Sequence, residues 1–220
     1  MHKKTIRIAI AAAFLICTSA AIVNTPAIAQ GSVIGNLLGG ASDSALNKLS
    51  QPGAFFADKG VRIGLPGPLK KASKLLRFTS KSDLAKDLTK SMNDVAGLAA
   101  KEAKPIFREA IDGLTLKDGL DITKQNDGAT QYLRDSSESS LSDKVRPLVS
   151  KAMGDTGTYD QLEALTSHKL TSKLGFSNEN MTDHVTKKTM DGIFKYMAAE
   201  EGKARKNPLK TLGGVLGIGD

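Results

Sequence analysis

Glu200 is the residue whose type and position most directly suggest chemistry. It follows Tyr196 by about one helical turn in residues 182–208, the longest amphipathic stretch after the apolar N-terminal run. At about 100° per residue, Glu200 falls inside the apolar stripe of that predicted helix. A carboxylate that faces a core must be paired or protonated. An unpaired Glu200 in a cleft beside Tyr196, with His184 or Asp191 as a second group, would indicate a hydrolase or lyase.

Two other interpretations of Glu200 stay open. An arginine on a packing helix (Arg108, Arg134 or Arg146) would make Glu200 half of a structural ion pair. Alternatively, Lys203 lies on the same face one turn later, which favours a helix that extends beyond the core. Because neither interpretation makes Glu200 catalytic, an enzyme is the alternative hypothesis for this chain, and a non-enzymatic role is the favoured one.

Standard catalytic and metal-binding signatures are absent from the sequence. There is no nucleophile elbow, phosphate-binding loop, zinc-protease helix motif or dinucleotide-binding glycine pattern. His168 and His184 lie on different predicted helices, so two surface histidines are favoured over a zinc site. Asp83, Asp87 and Asp94 share one helix face, but interleaved lysines favour a solvated face over a divalent-ion site. We therefore predict no metal site and no cofactor.

Residues 69–77 form a second candidate for function. Lys70, Lys74 and Arg77 line one side of this short predicted helix, and such a basic amphipathic helix could contact anionic lipid headgroups. An ordinary surface helix with solvated lysines is the simpler interpretation, because so short a segment buries too little apolar area to hold a membrane alone. The candidate ligand or partner contacts are thus these three residues with Tyr196 and Glu200.

Residues 1–29 have the pattern of a cleavable signal peptide. Basic residues come first, an apolar run follows over residues 8–23, and Ala27 and Ala29 occupy the small positions of a cleavage site. A retained membrane anchor is the weaker alternative, because the run is only marginally long enough to span. The residue before Cys17 is not small, which argues against a lipoprotein. Since Cys17 is the only cysteine, the mature chain would have none, and export without disulfides favours the bacterial periplasm.

The rest of the sequence indicates an all-α protein with a single compact multi-helix domain. Its positive charge is modest, which predicts solubility and, in an exported protein, no nucleic-acid partner. Residues 30–41 are expected to form a flexible Gly-rich arm, residues 42–208 the helical domain, and residues 209–220 a Gly-rich tail. Helices are predicted at 42–49, from Ser82, from Pro105, at 115–122, after a cap at Asp127, from Ser140, at 158–170 and at 182–208.

Six sequence blocks of the mature chain together resemble a known family. They are LPGPLKKASKLLR (65–77), SMNDVA (91–96), EAKPIFREAI (102–111), DGATQYLR (127–134), KVRPLV (144–149) and VTKKTMDGIF (185–194). In this order they resemble DUF4197, a family of exported bacterial proteins named only as a domain of unknown function. The resemblance implies a helical, signal-peptide-bearing protein and transfers no catalytic or ligand-binding residues. Many relatives have an aromatic residue where His184 stands, and residues 154–181 fit loosely.

The sequence therefore predicts an exported helical protein that is non-enzymatic and either binds a ligand or associates with the cell envelope. Its partner is unknown, and an envelope protein and an anionic lipid surface are both candidates. The alternative is an enzyme of the hydrolase or lyase type that uses Glu200 with His184 or Asp191.

Overall fold

The computed structural model describes residues 27–76, 83–115, 125–167 and 176–206. These ranges contain helices and no strand, which confirms the all-α prediction. The helices are α1 (Ala27–Leu49), α2 (Ala54–Ala57), α3 (Gly67–Leu76), α4 (Leu84–Glu102), α5 (Lys104–Asp112), α6 (Gly128–Asp155), α7 (Thr158–Thr166) and α8 (Asn178–Lys206).

Helix α8 is the central element of the domain. It packs mainly against α6 and α1 and also contacts α4. The predicted apolar stripe is buried, because so long an amphipathic helix is stable only when other helices cover that face. Its buried members include Val185, Thr189, Ile193 and Met197. The helix begins at Asn178, four residues earlier than the sequence pattern indicated.

Aromatic residues fill the core around α8. The rings of Phe107 and Phe194 are 5.9 Å apart, and Phe55 is fully buried. A Cβ atom at Gly192 would lie 2.7 Å from the Phe55 ring, so only glycine lets α2 approach α8 this closely. Phe56 is only partly buried, and the guanidinium of Arg62 lies 4.6 Å from its ring centre.

The predicted flexible arm at residues 30–41 is wrong, because this segment is part of the long helix α1. Ile34, Leu38, Ala45 and Leu49 recur at intervals of four or seven residues along α1 and are buried. Packing of this face, mainly against α8, outweighs the weak helix propensity of the glycines. The Gly-rich composition indicated flexibility only because local propensity ignores such tertiary contacts.

The two helices predicted after Asp127 and from Ser140 are one continuous helix, α6. Ser140 does not cap a helix start, since its hydroxyl donates to the Ser137 carbonyl oxygen at 3.2 Å within the helix. Pro147 is also accommodated inside α6. Leu141 and Val145, four residues apart, are both buried, so the helical periodicity is informative even where the predicted boundary is not.

Several predicted segments lie wholly or largely outside the described residues. The leader overlaps them only at residues 27–29, the tail at 209–220 does not overlap them, and the helix at 115–122 overlaps them only at Thr115. The predicted helix at 158–170 corresponds to α7. Across the described ranges, no helix is both long and apolar enough to cross a bilayer.

Candidate functional site

Residues 58–66 connect α2 to α3, and residues 61–66 of this connection form a non-helical segment that we call the strap. The side-chain amide of Asn93 in α4 pairs with the backbone of Ile63 in the strap, in the way that the backbone of a neighbouring β-strand would. The Asn93 amide nitrogen donates to the Ile63 carbonyl oxygen, and the Ile63 N–H donates to the Asn93 amide oxygen, both at 2.8 Å. The second Asn93 N–H group donates to the Thr89 carbonyl oxygen at 2.7 Å. All polar groups of this buried amide therefore have partners.

Helix α8 holds the strap and the turn before it. Nε2 of His184 donates to the Gly64 carbonyl oxygen at 2.9 Å, and Nζ of Lys195 donates to the Gly60 carbonyl oxygen at 3.0 Å. His184 thus serves as a backbone contact in this structure. The strap is anchored on both α4 and α8, so the start of α3 has a defined position on the body of the protein.

Helix α3 carries the predicted basic contact residues. Lys70, Lys71 and Lys74 are exposed, α3 contains no acidic residue, and none of the three lysines forms an ion pair within the described ranges. Leu69, in contrast, is fully buried and fixes the first turn of the helix. The third predicted contact, Arg77, lies outside the described residues.

Tyr196 contacts Asp58 in the turn that precedes the strap. Its hydroxyl donates to Asp58 Oδ2 at 2.8 Å, while the Gly60 N–H donates to Asp58 Oδ1 at 2.7 Å. These two hydrogen bonds lower the pKa of Asp58. Burial, together with the bond to Asp58, raises the pKa of Tyr196. Tyr196 therefore holds a turn in place and does not hydrogen-bond to Glu200.

Glu200 is paired by Ser44 and Lys48, which the sequence analysis did not identify, and by Lys203, which it placed on the same helix face. Ser44 Oγ donates to it at 2.8 Å, and the ammonium groups of Lys48 and Lys203 lie 2.7 Å and 2.8 Å from Oε1. Its side chain is only 13% exposed. The predicted arginine partners are wrong, because Ser44 and Lys48 of α1 meet this face of α8.

The environment of Glu200 does not suit proton transfer at neutral pH. Burial by itself would raise the pKa of Glu200, but hydrogen bonds from Lys203, Lys48 and Ser44 outweigh it and lower the pKa to about 2. So acidic a carboxyl group is ionised at neutral pH and is a weak base. Along α8, His184 is about 24 Å from Glu200 and Asp191 about 13 Å. The structure does not bring these groups together, so the enzyme hypothesis gains no geometric support.

The depressed pKa of Glu200 predicts a specific pH dependence of stability. The usual pKa is 4.5 and the folded value is about 2, so the stabilisation is complete above the usual value and is lost as the pH falls through the folded value. We expect Glu200→Gln to lower the free energy of unfolding above about pH 5. Below about pH 2 the variant and the wild type should have nearly equal free energies of unfolding. Urea denaturation across this range measures the difference. A constant difference at every pH would contradict the prediction.

Glu201, which the sequence analysis missed, is the fully buried carboxylate of α8. It accepts the backbone N–H groups of Ala129 and Thr130 at 3.0 and 2.7 Å and the Thr130 hydroxyl at 2.6 Å. Arg205 Nη2, one turn later, is 2.7 Å from Glu201 Oε1. Glu201 therefore caps the N-terminus of α6 from another helix. An anion is favoured there by the helix dipole and by backbone N–H groups that have no acceptor within α6.

One feature of the sequence and one of the structure are consistent with this role of Glu201. It follows Phe194 by seven residues, which places it on the same side of α8 as that buried ring. Asp127, the predicted cap of α6, makes no side-chain capping bond and accepts a hydrogen bond from Gln131 instead. The carboxylate of Glu201 replaces the local cap because tertiary packing brings it to the same N–H groups.

The carboxylates considered as a metal site do not form one in the described part of the chain. No group of three or more His, Cys, Asp or Glu side chains there is arranged to hold a metal ion. Asp94, one of the three aspartates on α4, is paired with Lys90 at 2.7 Å. His168 lies outside the described residues.

Comparison with known proteins places the chain in a family but identifies no activity. A family model described as "Protein of unknown function (DUF4197)" matches residues 27–217, nearly the whole chain. No curated protein and no solved structure matches the chain significantly. The match covers all eight helices of the described ranges, including the strap and both helices that hold it. The chain therefore belongs to the DUF4197 family.

Proposed function

We propose that this protein is a non-enzymatic, envelope-associated binding protein that docks on anionic lipid headgroups through α3. The observation that carries the proposal is the set of three exposed lysines, Lys70, Lys71 and Lys74, on a helix without acidic residues. In the described ranges these lysines have no carboxylate partner. Most arginines of the described ranges, such as Arg108, Arg134 and Arg146, are paired with acidic residues.

The base of α3 is attached to the domain without the use of its lysines. Buried Leu69 and the strap, which Asn93 and His184 hold, anchor the base of the helix. The lysines can then meet a surface without loss of the fold. Each basic residue near an anionic membrane contributes about 1 kcal/mol, so three lysines support weak, salt-sensitive and reversible binding. Export by the predicted signal peptide would bring the protein to the periplasm, beside membrane surfaces.

Liposome flotation tests this proposal. We expect the protein to float with phosphatidylcholine vesicles that contain phosphatidylglycerol and not with pure phosphatidylcholine vesicles, and to dissociate at about 0.5 M salt. Lys70→Glu combined with Lys74→Glu should abolish flotation, because it reverses two charges of α3.

The matched control for flotation is Lys86→Glu combined with Lys101→Glu. It makes the same charge change on exposed positions of α4 and should leave flotation nearly unchanged. Equal loss in both double variants would reduce the effect to net charge and contradict docking through α3. Equal binding to neutral vesicles would contradict an electrostatic contact.

A further inference from the structure

A polar groove runs between α6 and α8, on a part of the surface that the α3 proposal does not use. Its volume is about 690 Å³, and its walls include Glu138, Asp143 and Arg146 of α6 with Asp183, Thr186 and Lys187 of α8. The volume is within the range of about 300–1,000 Å³ typical of small-molecule sites. Both walls belong to the two longest helices of the described ranges, so the groove is formed by rigid elements.

Ion pairs within α6 and between α6 and α8 neutralise most charges of this groove. Arg134 donates to Glu138 and to Asp191, and Arg146 Nε donates to Asp183 at 2.7 Å. Because these pairs tie α6 to α8 at two points, the shape of the groove is set before any ligand binds. Their charges are already compensated and do not by themselves select a ligand.

Two charged groups of the groove are not compensated. Asp143 on α6 and Lys187 on α8 are exposed and have no hydrogen-bond or ion-pair partner within the described ranges. In addition, Arg146 Nη2 is 3.6 Å from the nearest Glu179 oxygen, which is beyond hydrogen-bonding distance. The groove thus offers one carboxylate on one wall, and one ammonium with part of a guanidinium for an anionic group.

Thr186 provides an independent indication of a ligand. It is 4% exposed and lines the groove, yet its hydroxyl oxygen has no hydrogen-bond partner among the described residues. The hydroxyls of Thr182 and Thr189 on the same helix donate to the carbonyl oxygens of Asn178 and Val185 at 2.9 and 2.8 Å. Three buried side-chain atoms of the described ranges lack a partner, Ser42 Oγ, Gln161 Oε1 and Thr186 Oγ1, and of the three residues Thr186 is the one that lines the groove. A buried hydroxyl without a partner destabilises a protein, and a molecule bound in the groove would supply the missing hydrogen bond.

We propose that the groove binds a small zwitterion with an ammonium and a carboxylate group, the chemistry of a free amino acid or a short peptide. The ammonium binds Asp143, and the carboxylate binds Lys187 and the free N–H groups of Arg146. The Thr186 hydroxyl oxygen is buried in this structure, so the side chain turns towards the bound molecule to hydrogen-bond to it. Recognition of both charges gives selectivity, because a ligand without one of them leaves a charged side chain unsatisfied.

Amide NMR titration of the purified protein with glycine and glycylglycine tests the proposal. Glycylglycine should shift the resonances of residues 138–146 and 183–187. Acetylglycylglycine, which lacks the ammonium, and glycylglycinamide, which lacks the carboxylate, should each bind at least about tenfold more weakly. A stronger response to glycine than to glycylglycine would identify a free amino acid as the ligand class, and the reverse a peptide.

Variants at the two uncompensated charges sharpen this test. Asp143→Asn and Lys187→Gln should each weaken glycylglycine binding at least about tenfold. The controls are Asp160→Asn and Lys101→Gln, at exposed positions outside the groove. They should not change the affinity for glycylglycine. No shift of the groove resonances at about 10 mM of either zwitterion, or equal binding of both blocked analogues, would overturn the proposal.

Thr186→Val separates a binding role from a structural one. Removal of an unpartnered buried hydroxyl should raise the Tm by about 2–4 °C, while the loss of its bond to the ligand should weaken glycylglycine binding about fivefold or more. An unchanged affinity, or a lower Tm, would show that the hydroxyl does not serve the ligand and would overturn its assignment.

Discussion

Glu201→Ala is expected to lower the free energy of unfolding by about 3–5 kcal/mol, the cost of breaking a buried ion pair by removal of one partner. The carboxylate accepts three hydrogen bonds from Ala129 and Thr130 and is also paired with Arg205. Its loss leaves backbone N–H groups at the start of α6 without this acceptor and removes the ion pair between Glu201 and Arg205. For a chain of this length the Tm should fall by at least about 6 °C.

Thermal and urea denaturation measure this effect, and two further variants define its cause. Glu201→Gln retains one acceptor oxygen and should recover part of the stability. Glu163→Ala removes an exposed carboxylate from α7 and should change the free energy of unfolding by less than about 0.5 kcal/mol. If Glu201→Ala were no more destabilising than Glu163→Ala, the cap would contribute nothing to the stability of α6.

Asn93→Leu is the second substitution with a large expected effect. Leucine is close to asparagine in size but makes none of the three hydrogen bonds to Ile63 and Thr89. Since Ile63 is fully buried, its N–H and carbonyl groups would lose their only described partners. An unsatisfied buried polar group costs about 1–3 kcal/mol, so we expect a loss of about 2–4 kcal/mol, because water will partly replace the lost bonds.

Hydrogen exchange of the Ile63 amide is the most direct measurement for Asn93→Leu. Exchange should be slow in the wild type and should accelerate in the variant more than exchange in α8, because the strap is released before the core unfolds. Asn180→Leu, at an exposed position of α8, is the control and should leave hydrogen exchange unchanged both at the Ile63 amide and in α8. Equal acceleration everywhere would show global destabilisation without a specific role for the strap.

The consequences for α3 follow from the same contact. The strap joins α2 to α3, and Asn93 and His184 are its side-chain anchors from the body of the protein. If α3 docks on anionic vesicles through its lysines, a loosened strap should leave flotation largely intact, because the charges remain. Reversal of the charges at Lys70 and Lys74 should abolish flotation while the Ile63 amide stays protected. The two variants therefore separate anchoring from binding.

Local sequence patterns predicted the helices whose inward faces are long and regular. The stripe from Val185 to Met197 predicted α8 because a period of about 3.6 residues identifies a buried face without knowledge of its partners. The same reasoning predicted the end of α1 at residues 42–49 but failed for its first part, where glycines masked the spacing of Ile34 and Leu38. It also divided α6 at Ser140, since a serine within a helix and a serine that caps one have the same local sequence.

The carboxylates near the end of α8 show most clearly where sequence reasoning stops. The sequence by itself determined that α8 is amphipathic and that a carboxylate near its C-terminal end would meet the core. Only the tertiary structure decided that Glu201 is fully buried as the cap of α6, and that Glu200 is held by Ser44 and Lys48 of α1. Periodicity specifies the direction of a side chain on its own helix, whereas the partners from α1 and α6 lie more than 70 residues away in the chain.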